Sequence, residues 1–153
     1  MISRKDYLMG RDVQYASDFT EAMSDNVDEL LEAVNEFLAD WKGPTQVNSG
    51  WRPATINNMT PHASKTSKHL ECLAIDLNDT DGSLWQYVLD NLSTATTLNI
   101  YLEDVRYTRT KRGNWVHLQL GGPKSRKRIF VPSTSPPDSP SFWNGKYDTK
   151  FDK

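Results

Sequence analysis

At 153 residues and 37% hydrophobic content, the chain can bury one ordinary core and is too short for two comfortable domains. Its 18 Lys+Arg nearly cancel 20 Asp+Glu, so no global basic field argues for nucleic acid or an anionic membrane surface as partner. A single cysteine, Cys72, excludes an intrachain disulfide and a Cys-rich zinc site, which leaves His and carboxylate as the metal ligands to look for.

The opening stretch MISRKDYLMGRD has no apolar h-region, and no apolar run approaches the roughly 20 residues needed to cross a bilayer. The expectation is a soluble protein with no signal peptide and no membrane span. From Ser24 to Trp41, apolar residues from Val27 to Trp41 recur at steps of three and four, with acidic residues between them, which predicts an amphipathic helix. Ser24 or Asp25 would cap its start, and Gly43-Pro44 would stop it. A strand is expected at Thr45 to Ser49. The polar stretch that follows, Ser49 to Leu70, holds Pro53, Pro61 and few apolar residues and reads as a long surface loop of the kind that usually carries function.

Next, Cys72 to Leu77 alternates as a strand, with Leu73, Ile75 and Leu77 on one face and Cys72, Ala74 and Asp76 on the other. A short helix, Ser83 to Leu92 with Ser83 as its cap, would bury Leu84, Trp85, Val88 and Leu89. Strands Leu98 to Glu103 and Trp115 to Leu120 should pair through a charged turn. Parity puts Val116, Leu118 and Leu120 in the core, Trp115, His117 and Gln119 on the opposite face, and Tyr101 together with Glu103. The one strongly basic run, Lys124 to Arg128, reads as solvated loop. After Val131, PSTSPPDSPS holds four of the eight prolines, so residues 1–130 form the domain and residues 131–153 a Pro-rich arm. Trp143, Tyr147 and Phe151 recur every fourth residue and would anchor that arm on its own domain or on a neighbour.

Catalytic zinc commonly takes three ligands from His and Asp/Glu and leaves a fourth position for water. His69, Asp76 and His117 offer such a set from one loop end and two strands. The stretch SKHLECLAIDL resembles the S-x-H-x-x-G-x-A-x-D signature of the D-alanyl-D-alanine carboxypeptidases and phage L-alanyl-D-glutamate endopeptidases, zinc enzymes that cut peptidoglycan peptides. SGWRP, Ser49 to Pro53, is similar to the motif lying upstream in that family, and NWVHLQ, Asn114 to Gln119, to the segment that closes its site. YLMGRD and the overall size are similar to proteins of tailed phages.

The resemblance implies a small α+β domain in which a mostly antiparallel sheet carries a zinc site on one face and helices on the other. It implies His69, Asp76 and His117 as ligands of Zn2+, and Arg52 as the guanidinium that holds a substrate carbonyl or carboxylate. Ser67 would bond substrate or brace the His69 loop, and Trp115 would line the pocket or pack. Two positions depart from the family pattern: Cys72 stands where it keeps glycine, and Asn114 where many members keep an acidic residue as general base. An amide cannot take a proton from water, so Glu103 is expected to serve as base, with Asp104 and Glu71 weaker candidates, and His62 is expected to be exposed.

The functional expectation is a zinc metallopeptidase acting on peptidoglycan stem peptides, phage-encoded, located in a virion or the host cytoplasm and acting at the host cell wall. The alternative is a virion structural protein that uses an impaired site as scaffold, with the arm docking on other virion proteins.

Overall fold

Two short helices, α1 (Arg4–Leu8) and α2 (Arg11–Gln14), precede the long one that the periodicity predicts. The computed structural model describes residues 1–111, 113–132 and 149–152. Ser3 and Asp6 form a reciprocal capping box on α1, which buries Tyr7 and Leu8. The long helix, α3, runs Glu21–Phe37, and its start is capped by Thr20, whose hydroxyl accepts from the Met23 amide. Ser24 and Asp25 are therefore inside the first two turns, not at the cap. Val27, Leu30, Leu31, Val34 and Phe37 form its buried stripe. Trp41 lies beyond the helix, its indole N–H donating to the Pro44 carbonyl at 3.1 Å.

Strand β1 (Val47–Ser49) leads into helix α4 (Ala54–Met59), which occupies part of the stretch expected as loop. Proline precedes that helix without cost because the first-turn amides have no internal partner. Trp51 is fully buried, with its ring edge-on to Phe19 at 4.9 Å, and buried Asn57 ties Ser64 back through a 3.0 Å bond. Strand β2 (Ala74–Asn78) starts two residues later than expected, because Cys72 takes the left-handed conformation at φ 59°.

Helices α5 (Ser83–Asp90) and α6 (Leu92–Thr97) follow, then β3 (Ile100–Glu103), a two-residue β4 (Arg109–Thr110), β5 (Gly113–Leu120) and β6 (Ile129–Phe130). Ser83 is the first helical residue, not the cap; the amides of Leu84 and Trp85 donate to the buried carboxylate of Asp79 at 2.9 and 3.2 Å. Arg109 pairs with the same carboxylate, joining the β4–β5 hairpin to α5.

The sheet runs β1-β2-β5-β3-β6, with β4 on the end of β5. All its pairs are antiparallel except β3 with β6. The fold is α+β. Ile75, Leu77, Ile100, Leu102, Val116, Leu118, Leu120 and Ile129 pack beneath the helices in one core. The opposite face is polar, with Asp76 opposite His117, Asn78 opposite Trp115 and Tyr101 opposite Gln119.

The basic run is exposed loop from Lys124 to Arg126, as expected, but its end is anchored. Arg128 is 2% exposed, donates to the carbonyls of Ile100 (2.7 Å) and Phe151 (3.2 Å), and lies over the Tyr101 ring, while Lys127 pairs with Asp152 at 3.0 Å. Phe151 packs against the domain's own core. Trp143, Tyr147 and nearly all of the Pro-rich arm lie outside the described residues. Among the described residues, no helix is long and apolar enough to cross a membrane.

Candidate metal centre

Three chain segments converge on Asp76. The β1–β2 ladder sets Ser49 against Asp76, and the β2–β5 ladder sets His117 against it. The third segment is the turn Lys68–Cys72, which closes when Leu73 donates its amide to the Lys68 carbonyl at 2.9 Å. Cys72 takes a positive φ inside that turn, which explains a glycine in the family pattern: such a turn favours a residue without a Cβ.

The segment after β1 is bonded directly to the turn. The Arg52 amide donates to the His69 carbonyl at 3.1 Å, and the Gly50 carbonyl lies 2.7 Å from His69 Nδ1. A carbonyl only accepts, so Nδ1 carries the hydrogen and Nε2 is left with its lone pair. Nε2 is buried, lies 3.2 Å from Asp76 Oδ2 and has no hydrogen-bond partner. The other oxygen of Asp76 is 2.8 Å from His117 Nδ1. One ligand atom from each of the three residues lies within 4.8 Å of the other two.

That donor set fits zinc. Two imidazole nitrogens and one carboxylate are the borderline and hard ligands the ion takes at catalytic sites, while calcium and magnesium prefer oxygen shells. An unpartnered buried nitrogen aimed at a carboxylate is also what a bridging cation would satisfy.

Electrostatics reinforce the arrangement. Burial alone would raise Asp76, yet the nearby charge of His69 and the hydrogen bond from His117 hold it well below the ordinary carboxylate range. Burial depresses His69, against the pull of Asp76. His117 is raised, because Asp76 and Glu103 outweigh the opposing effect of burial.

Glu103 follows Leu102, which pairs with Leu118, so the ladder carries Glu103 level with His117 on the polar face. Burial raises its carboxyl above the ordinary range; the charge of His117 opposes this, that of Asp76 adds to it, and that of Arg52 opposes it again. The structure therefore brings His69, Asp76, His117, Arg52 and Glu103 into one electrostatic neighbourhood. Arg52 donates to Ser67 Oγ at 3.2 Å, and that oxygen also accepts the His69 amide at 3.4 Å, so Ser67 braces the loop. Trp115 is partly buried on the same sheet face, two residues from His117.

The remaining candidates stand elsewhere. Asp104 is fully buried, pairs with Arg106 and caps the turn Val105–Tyr107. Glu71 is exposed and pairs with Lys68 at 2.7 Å. Asn114 reaches toward the Thr80 carbonyl at 3.4 Å, and His62 is exposed. Cys72 belongs to the hydrophobic core, burial pushes its thiol up to about 12, and it stands outside the His69, Asp76 and His117 cluster. Gly50 and Gln119 lie inside the SGWRP and NWVHLQ motifs but carry no role legible in the sequence; their bonds to the two histidines depend on side-chain and loop geometry.

The sequence profile of Peptidase M15 matches residues 9–119. The chain belongs to the Peptidase M15 family. The match spans the Gly50–Arg52 segment, the His69 turn and β5 through His117, so this M15 domain includes the whole cluster. A solved structure similar to it is that of the Serratia marcescens L-Ala D-Glu endopeptidase ChiX, 21% identical, covering 67% of this chain and 89% of that one at a TM-score of 0.45. Comparison with curated proteins finds no match.

Proposed function

We propose that this M15 protein is a zinc-dependent peptidase that hydrolyses peptide bonds in the stem peptides of bacterial peptidoglycan, with zinc held by His69, Asp76 and His117. The observation that carries the reading is the buried, unpartnered Nε2 of His69 facing Asp76, with the nitrogen of a second histidine on the other carboxylate oxygen. The peptidoglycan specificity rests on the resemblance of SGWRP, SKHLECLAID and NWVHLQ to peptidases of that substrate.

When bound, zinc supplies Lewis acidity, polarising a peptide carbonyl and acidifying water. Glu103 is the base that takes a proton from the attacking water and returns it to the leaving amine. Burial raises its carboxyl above the ordinary range, which favours its holding the proton between the two halves of that exchange. Arg52 has its guanidinium anchored by Ser67 and its Nε buried without a partner, and it donates to the carbonyl oxygen as negative charge develops there. Trp115 forms a wall of the substrate cleft.

The test is zinc content and release of peptides from purified peptidoglycan, measured on one preparation, with His69→Ala and Glu103→Gln alongside. The expected result is a single zinc per chain in wild type and in Glu103→Gln, and a loss of turnover in Glu103→Gln of roughly 10²–10⁴-fold. His69→Ala should lose both metal and activity. Zinc without cleavage of any wall type would overturn the peptidase reading, and no zinc would overturn the metal centre itself.

A further inference from the structure

A neutral imidazole offers a lone pair on only one nitrogen, so a histidine that is to bind metal must have its hydrogen held on the other. For His69 the Gly50 carbonyl does this. His117 has a harder problem, because the group beside its inward nitrogen is the Asp76 carboxylate, itself an acceptor that attracts a hydrogen to Nδ1.

The far nitrogen, Nε2, lies 3.1 Å from Gln119 Oε1. Gln119 cannot present its other end there, since its amide nitrogen donates to the Gly121 carbonyl at 2.8 Å and that carbonyl only accepts. Gln119 is 7% exposed and is paired across the ladder with Tyr101. Gly121 turns the chain at φ 79°, which brings its carbonyl within reach of a side chain only two residues back.

We propose that Gln119 is a positioning residue of the metal centre: its oriented amide keeps the hydrogen of His117 on Nε2 and reserves Nδ1 for the ion beside Asp76. The inference rests on the reading of His69, Asp76 and His117 as a metal site. It adds that the ligand atom of His117 is set from the strand's own next outward position.

The experiment is zinc affinity by competition with a chromogenic chelator for wild type, Gln119→Met and Gln119→Glu, together with the ¹⁵N imidazole spectrum of the zinc-loaded wild type. Gln119→Met keeps the bulk and removes the acceptor, and should weaken zinc binding roughly 10–100-fold. Gln119→Glu restores an acceptor at Nε2 and should recover affinity to within a few-fold of wild type. The spectrum should show His117 with its hydrogen on Nε2. Wild-type affinity in a folded Gln119→Met, or a wild-type spectrum with Nε2 metallated, would overturn the role of Gln119 while leaving the metal centre intact. Failure of wild type to bind zinc would overturn the metal reading and this inference with it. Should Gln119→Met not fold, the wild-type spectrum decides alone.

Discussion

Replacing Gly50 by alanine tests the geometry of the site without touching a ligand. A Cβ at Gly50 would stand 1.9 Å from the Tyr7 carbonyl oxygen and 2.8 Å from its carbon, where real contacts stay beyond 3.0 Å. The obstacle is backbone, so no side-chain rotation relieves it, and the chain must give by about an ångström. Tyr7 is anchored in the core with its hydroxyl on the Ala74 carbonyl, so the 49–52 segment is the part that moves. The Gly50 carbonyl then leaves the 2.7 Å contact that orients His69. Overpacking costs about 1–3 kcal/mol and an orphaned buried imidazole N–H about as much again, so destabilisation should total about 2–6 kcal/mol. Thermal denaturation should show a melting temperature lower by roughly 5–20 °C. Because His69 also loses the bond that holds its tautomer, zinc affinity should fall by roughly 10–100-fold in the protein that remains folded. A variant that melts within a degree or two of wild type and binds zinc equally would refute the claim that Gly50 positions His69.

Glu103→Gln should raise the stability of the metal-free protein while removing turnover. The folded state raises Glu103 above its ordinary 4.5, so the stabilisation from the neutral form is present below that value and lost as pH rises through the folded pKa. The variant should match wild type in melting experiments near about pH 4 and exceed it near about pH 8; equality at both would remove the case for a disfavoured charge there. At Cys72, whose φ is 59°, the usual order of core substitutions should reverse. A left-handed residue bearing a Cβ costs about 1–2 kcal/mol, so Cys72→Gly should melt above Cys72→Ala by roughly 2–4 °C, and the opposite order would mean that packing, not backbone, governs the turn. Asp79→Ala should lower stability by about 3 kcal/mol in urea titration, combining a lost helix cap with a broken pair whose arginine is partly screened by solvent. Asp79→Asn should fall between that variant and wild type, and a neutral Asp79→Ala would show that α5 needs no anchor.

What the sequence made legible was what repeats. The stripe of α3 and the alternation of β2, β3 and β5 are set by burial on one side, and burial leaves a period. The start of α3 was misplaced because its first fully buried residue, Val27, comes only in the second turn, after a first turn capped by Thr20 whose Glu21 and Ala22 are exposed. Helix α4 has six residues and its one buried side chain is Asn57, so it carries no apolar period at all. Strands β4 and β6 are two residues each, too short to alternate. Cys72 looked like the first residue of a strand because parity assumes extended backbone, and a positive φ cannot be read from a cysteine. Arg128 looked solvated because its acceptors lie 23 and 28 residues away in sequence, in the carbonyls of Phe151 and Ile100. Parity puts Glu103 on one face with Tyr101, but whether that face stands beside His117 depends on register. That register is set by the turn at Val105–Tyr107 and the β4–β5 hairpin, where the sequence shows only charge.

The same contacts explain how the cluster can be buried and still poorly satisfied by the protein itself. In the protein alone, Asp76 is held ionised by two imidazoles, His69 keeps a buried nitrogen without a partner, and Glu103 is pushed toward its neutral form beside the Asp76 carboxylate. The two histidines and the aspartate are held from outside by Gly50, Gln119 and the β2–β5 register. A divalent cation among the three donors would satisfy the orphaned nitrogen and favour the charged form of Glu103 at once, so each feature that is unfavourable in the protein alone would become a term in metal affinity. Whatever binds the folded state alone also stabilises it, by about 4 kcal/mol at a thousandfold excess over the dissociation constant. The fixed surroundings of the site and its poor internal satisfaction are thus one property: the fold holds His69, Asp76 and His117 in an arrangement that a bound cation would complete.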